Sequence, residues 1–192
     1  MVFDWDDQCD EWDALPFLDE LKKLNSKFKA NLFVIPKKTS IKLFKEMKKR
    51  DWIQIIPHGY WHNDNWECEK WTKIKMLRYI DKMLLPYKKY FVNGFKAPGW
   101  QISDGCYEGL LERGWWVMDQ ARLNDRRPAK LKVFLADNTN SIHYHGHTHD
   151  VCHNGIEESM DNLRKLIPTV DKFDFISEVV KESGKYEDPV SG

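Results

Sequence analysis

Two histidines four residues apart, His58 and His62, follow directly on the short apolar run 53–57. On a helical turn, side chains at i and i+4 share one face, so both imidazoles can reach a single ion. The chain has seven histidines, and a pair at this spacing can equally be two ordinary surface imidazoles. Asp6-Asp7 follows the first apolar run. One carboxylate joined to two imidazoles makes the three-ligand, open-position set of catalytic zinc, which other divalent ions also accept. A second carboxylate beside it can take a proton from water that such an ion has acidified. Taken alone, an Asp-Asp pair is also a common cap or solvated turn.

A third source of chemistry is the stretch Ser-Ile-His-Tyr-His-Gly-His-Thr-His-Asp, in which His143, His145, His147 and His149 alternate and His153 follows. In a strand, alternate residues share a face, so His143 and His145 point the same way. Gly146 is expected to break the strand and leave His147 and His149 in a loop over the mouth. A second metal site and adventitious metal binding both fit this run. Nine tryptophans are present, and Trp61, Trp66, Trp100 and Trp116 lie in or beside these segments. Their rings can stack on a sugar face or simply pack the core and rim.

Residues of this kind must be held by a frame. Short runs rich in β-branched or aromatic residues at 2–5, 31–35, 53–57, 94–97, 115–118, 141–145 and 173–176 read as buried parallel strands. Amphipathic stretches with readable ends lie between them. Pro16 opens a helix carrying Phe17, Leu18, Leu21 and Leu24; Thr39 or Ser40 caps one carrying Ile41, Phe44 and Met47. Trp71, Ile74, Leu77 and Ile80 mark a third that ends before Pro86. Ser103 and Gly114 bound a fourth, and Met160, Leu163 and Ile167 face inward from a fifth. This alternation predicts an α/β fold with about seven strands, an irregular or incomplete parallel βα barrel rather than an open doubly wound sheet. In such folds the C-terminal strand ends converge on one face. Here those ends carry Asp6, Asp7, His58, Lys96, Asp119 and His145.

Length and charge narrow the classes. A chain of 192 residues suits a single domain, with 181–192 expected as a disordered tail. Thirty basic residues balance thirty acidic ones, which argues against nucleic acid or an anionic membrane as partner. No long apolar run and no apolar leader are seen, and the four cysteines form no Cys-x-x-Cys pair, so a soluble cytoplasmic protein with reduced thiols is expected.

The ordered segments resemble a known family. Phe3-Asp4-Trp5-Asp6-Asp7, His58-x-x-x-His62, Phe95-Lys96-Ala97-Pro98-Gly99-Trp100, Trp115-Trp116-Val117-Met118-Asp119 and Ile142-His143-Tyr144-His145 look like the five motifs of the NodB-like polysaccharide deacetylases, the family-four carbohydrate esterases. The resemblance implies a deformed βα barrel and metal-dependent hydrolysis of an N-acetyl or related acyl group on a sugar. It implies Asp6 as general base, and Asp7, His58 and His62 as ligands of one divalent ion, zinc first, with cobalt, nickel or manganese as alternatives. His145 would be the general acid, with His147 as second choice. Lys96, where the family usually has arginine, would orient the base, with Asp119 as its partner. Trp100, Trp116 and Pro98 would contact substrate, and a backbone N–H near Gly99 or Trp100 would meet the oxyanion. Gln8 stands where the family usually has glycine. Two other readings remain beside this one: a hydrolase of non-sugar amides on the same fold, and a catalytically silent glycan-binding module.

Overall fold

The computed structural model describes residues 1–136, 143–147 and 157–183. Cys152, His149, His153, Ser141, Ile142 and residues 184–192 lie outside the described residues. Among the described residues, seven parallel strands form the frame. A four-stranded sheet has the order β3-β2-β1-β7, built from β1 (Val2–Gln8), β2 (Ala30–Val34), β3 (Ile53–Pro57) and β7 (His143–His147). A three-stranded sheet has the order β4-β5-β6, from β4 (Gly94–Phe95), β5 (Trp116–Asp119) and β6 (Val133–Leu135). One parallel bridge between His58 and Lys96 joins the ends of β3 and β4. The strands therefore follow one another around a curved, incomplete parallel barrel, as the alternation predicted; among the described residues no ladder joins β6 to β7.

The helices cover this sheet with their apolar faces. Helix α1 (Leu15–Leu24) has Pro16 in its first turn and buries Leu15, Phe17, Leu18 and Leu21, while Leu24 is exposed. Helix α2 (Ile41–Lys48) is capped by the Ser40 hydroxyl, which accepts from the Leu43 N–H at 3.2 Å. Helix α3 (Lys73–Arg78) continues as a π turn over Tyr79–Met83. The expected stripe is corrected here: Ile74 is 78% exposed, and Met76, Tyr79 and Ile80 face inward. A π turn winds more residues per turn than an α-helix, which places the neighbours Tyr79 and Ile80 inside together. Helix α4 (Asp104–Glu112) starts at Ser103 and stops before Gly114, whose φ of 65° is the left-handed value that glycine adopts without strain. Helices α5 (Glu157–Leu166) and α6 (Ile176–Ser183) complete the described shell. Leu163 and Ile167 are buried, and no helix among the described residues is long and apolar enough to cross a membrane.

Two strand assignments change. Residues 173–176 form no strand; Phe173 packs edge-on against Phe28, and the Ile176 N–H donates to the Asn31 side chain as α6 begins. Asn31 also donates to the Phe3 carbonyl, so a fully buried amide ties the chain's last described helix to the barrel. The seventh strand is instead β6, whose Val-Phe-Leu is apolar but only three residues long, after a stretch rich in lysine and arginine. Residues 181–183, expected in the tail, end α6.

Trp116 was expected to meet substrate. Its side chain is 6% exposed and lies in an apolar cluster with Val2, Phe33 and Met118. The ring covers Gly94 so closely that a Cβ there would lie 2.1 Å from it. Trp116 is thus a core residue. Gly94→Ala should destabilise the fold by about 2–3 kcal/mol through overpacking. Gly114→Ala, with nothing within 4 Å of the added carbon, should cost only about 1 kcal/mol for its backbone strain. Urea melts of the two variants check this; equal losses would reject the packing.

Candidate active site

The floor of the site is β1, all seven of whose residues are buried. Strand alternation sends Phe3 and Trp5 to the helix-covered core and Asp4 and Asp6 to the other face. Alternation should then hide Asp7 from Asp6. The ladder to β2 slips between Trp5 and Gln8, and Asp7 sits at φ 66°. This irregularity turns the chain so that both consecutive carboxylates face one cleft of about 340 Å³. His58, His62, His147 and Trp100 line the same cleft, together with Trp12, which no sequence signal had marked.

Asp7, His58 and His62 come together as their spacing suggested. His62 Nε2 lies 3.1 Å and His58 Nε2 3.5 Å from Asp7 Oδ1, and one ligand atom from each residue lies within 4.8 Å of the others. The reason differs from the one expected. Residues 58–62 form a loop rather than a helical turn, with positive φ at Gly59 and His62, and the ring centroids still approach to 4.9 Å.

The donor set fits a divalent cation. His58 Nδ1–H donates to the Lys96 carbonyl at 3.0 Å, which leaves Nε2 as the lone-pair nitrogen facing Asp7. Burial pushes the His58 pKa down to about 4, so this ring is neutral near pH 7. Burial alone would raise the Asp7 carboxyl, but hydrogen bonds from His147 and His62 outweigh it and hold the group well below the usual carboxylate range. Asp7 is therefore an anion beside a neutral imidazole and His62, and two of these three positions carry left-handed backbone. Such backbone costs energy and persists where surroundings impose it.

Around this centre lie two further carboxylates. Lys96 is 1% exposed; its ammonium donates to Asp6 Oδ2 at 2.5 Å, lies 3.9 Å from Asp4, and sits 4.0 Å from the centre of the Trp100 ring. Asp119, expected as the partner of Lys96, is not. It accepts from the Tyr107 hydroxyl at 2.6 Å and the Gln120 N–H at 2.9 Å, with Arg127 at 3.5 Å. Strand β5 stands beside β4 on the side away from β3, so Asp119 faces helix α4, whereas Asp6 and Asp4 stand across from Lys96.

The part played by Asp4 was missed altogether. This fully buried carboxylate accepts from His145 Nδ1 at 2.7 Å and from His143 Nε2. His143 Nδ1 meets the Ala136 carbonyl at 2.9 Å, so both ring nitrogens face acceptors. Burial lowers the His143 pKa, but the Asp4 hydrogen bond and charge reverse this and raise it. The His143 ring thus pairs with Asp4 and fixes that carboxylate. His145, tied through Nδ1, places Nε2 3.8 Å from Asp6 Oδ2. Strand β7 also continues through Gly146, which pairs with Trp5, so His147 remains in the ladder opposite Asp6 and donates to Asp7 at 2.9 Å. Asp6, His145 and His147 form a second cluster of potential ligands. The Lys96 ammonium on Asp6 disfavours a second cation there, so the first cluster is the better metal centre.

Of the remaining candidates, Trp100 lines the cleft and meets His145 edge-on at 5.9 Å. Pro98 is buried against Gly59. The Trp100 N–H donates to the Ala97 carbonyl at 3.2 Å within its own turn, which removes it from the two oxyanion donors expected.

No family model and no curated protein sequence matches the chain. Solved structures do. The Xyl-CE4 domain of a multidomain xylanase from the hindgut metagenome of Trinervitermes trinervoides aligns with a TM-score of 0.63 at 14% identity, over 95% of this chain and 90% of that one. The chitin deacetylase of Colletotrichum lindemuthianum aligns at 0.62 and 16% identity, over 92% and 85%. A family 4 acetyl xylan esterase from Clostridium thermocellum, solved with a cobalt ion, aligns at 0.62 and 15% identity, over 95% and 91%. At such low identity the likeness concerns the backbone, and it extends over nearly the whole length of both partners. Strand order, curvature and the placing of the motif segments at the strand ends agree with it: this chain has the NodB-like polysaccharide deacetylase fold of the family-four carbohydrate esterases.

Proposed function

We propose that this protein is a divalent-metal-dependent hydrolase that removes an N-acetyl or related acyl group from a sugar or glycan. The observation that carries the reading is the convergence of Asp7, His58 and His62 in one cleft with Asp6, which has His145 Nε2 3.8 Å from its Oδ2. Relatives in fold include a chitin deacetylase, a family 4 acetyl xylan esterase and the Xyl-CE4 domain of a xylanase, which supports an acylated carbohydrate as the substrate class.

Asp7, His58 and His62 would hold the ion, which supplies Lewis-acid polarisation of the acyl oxygen and acidifies nearby water. Zinc is the first expectation, and cobalt, nickel and manganese also accept this ligand set. Asp6 takes the proton from the attacking water. Its other neighbour, the Lys96 ammonium, holds the carboxylate at one oxygen. His145 Nε2 stands 3.8 Å from Asp6 Oδ2 and gives a proton to the departing nitrogen or oxygen. Asp4 holds His145 by Nδ1, so that Nε2 is the nitrogen presented to the substrate. Trp100 closes one wall, where its ring covers Lys96 and excludes water from the Lys96–Asp6 pair.

Metal content is the direct test. Purified protein should carry or take up one equivalent of a transition metal, and His58→Ala should lose it, as measured by elemental analysis. Acetate release from short chitin or peptidoglycan oligomers should vanish with chelator and return with zinc, cobalt or nickel. Release from small amides but from no N-acetyl sugar would move the substrate to the non-sugar class. Metal uptake without any turnover would favour a silent glycan-binding module.

A further inference from the structure

The loop that presents His58 and His62 is shaped by a residue outside every motif. The N–H groups of Tyr60, Trp61 and His62 point inward on the Glu67 carboxylate. Oε1 accepts from Tyr60 at 3.1 Å and Trp61 at 3.2 Å; Oε2 accepts from Tyr60 at 3.1 Å and His62 at 2.8 Å. Three consecutive amides around one anion form the kind of concave backbone nest that otherwise binds a phosphate or another external anion. Gly59 makes the nest possible. Its φ is 57°, and a Cβ there would fall 2.6 Å from Glu67 Oε2 and 2.7 Å from the Pro98 ring. On the opposite side the Tyr79 hydroxyl donates to the Gly59 carbonyl at 2.6 Å, and Lys38 donates to the His62 carbonyl at 3.1 Å. Next in sequence, Cys68 is fully buried and its carbonyl accepts from the Cys106 thiol, so Glu67 rests on a fixed base.

We infer that Glu67 is the positioning residue of the metal centre: by gathering these three amides it sets the left-handed turn at His62 that swings the second imidazole onto Asp7. An uninterrupted helical turn would bring i and i+4 together without help. Here the chain is not helical, and an internal anion performs that task. The role rests on the metal reading proposed above, and it makes Glu67 act through His62 without touching the ion. Outer partners that orient metal ligands alter affinity by about 10- to 100-fold when changed.

The test measures cobalt and zinc affinity by titration calorimetry and the visible spectrum of the cobalt-loaded protein. In Glu67→Gln the amide NH₂ faces backbone N–H donors, so half of the nest is repelled. The expected result is affinity about 10- to 100-fold below wild type, and a cobalt spectrum altered as one nitrogen ligand is loosened, with the far-ultraviolet dichroism of the metal-free protein unchanged. Glu67→Asp keeps the charge on a shorter arm and should lose less; it replaces the glutamine variant should that one fail to fold. Unchanged affinity and spectrum in both variants, or a lower melting temperature with wild-type affinity, would overturn the assignment. If the wild type itself binds neither metal, the metal reading falls, and the role of Glu67 with it.

Discussion

Asp6→Asn abolishes most hydrolysis, by about a thousandfold in kcat, while one equivalent of metal stays bound. The size follows from the usual worth of a positioned base, about 10²- to 10⁴-fold. Retention of metal follows from the geometry, because the ligand atoms belong to Asp7, His58 and His62 and Asp6 is engaged with Lys96. The change also leaves a buried ammonium whose remaining carboxylate, Asp4, is 3.9 Å away. Breaking a buried pair from one side costs about 3–5 kcal/mol, whereas removing both charges is often neutral. Asp6→Asn/Lys96→Met should therefore regain much of the melting temperature lost by Asp6→Asn and none of its activity. Acetate release, metal content and melting temperature of the two variants are the measurements. Activity returning with stability in the double variant would show Asp6 to be a structural partner of Lys96 and no base.

The second large effect is expected at Asp4. Asp4→Asn should lower kcat by about 10²- to 10³-fold, leaving KM and metal affinity near wild type. The carboxylate accepts from two imidazoles at once, and an amide has only one accepting oxygen. Its NH₂ group must then face one of the two ring N–H groups. Either His145 turns away, or Nδ1 becomes an acceptor and the ring stays neutral with its one proton on Nε2, far too weak an acid to protonate the leaving group. The same replacement beside the catalytic histidine of serine proteases lowers kcat by about 10⁴ through the wrong tautomer. A smaller loss is expected here, because proton delivery is one contribution beside the ion and the base. His143→Gln serves as the comparison: it keeps a donor toward Asp4 and leaves His145 in place, so its loss should be much the smaller. Steady-state kinetics and metal titration check both variants, and a rise in KM with kcat unchanged would refute the orienting role.

Much of the frame was legible without coordinates. Strands β1 to β3 and β5, the caps at Ser40 and Ser103 and the stop at Gly114 follow from local apolar runs and local hydrogen bonding, which any segment carries in its own residues. The metal triad was legible for a related reason. Asp7, His58 and His62 are polar residues placed just past apolar strands, where burial without a partner is costly. Strand β6 escaped because three apolar residues are too short a run to show a period. Trp116 and Asp119 were misassigned because a motif places a residue along the chain and says nothing of which neighbour will cover it.

Sequence by itself thus determined which residues end the strands and which chemistry they can perform: carboxylates, imidazoles and one ammonium gathered at a barrel mouth. Only the tertiary structure decided who partners whom. Asp4 meets a histidine 141 positions away because β1 and β7 are adjacent and in register, and Lys96 reaches Asp6 because β4 lies beyond β3 across the curve. Asp7 joins Asp6 because the ladder slips there, and His62 joins His58 because Glu67 draws their loop inward. Local patterning is set by each residue's own solvation and neighbours in the chain. Hydrogen-bond partners over such separations are chosen by strand order and backbone shape, which arise only when the whole curved frame has assembled around its core.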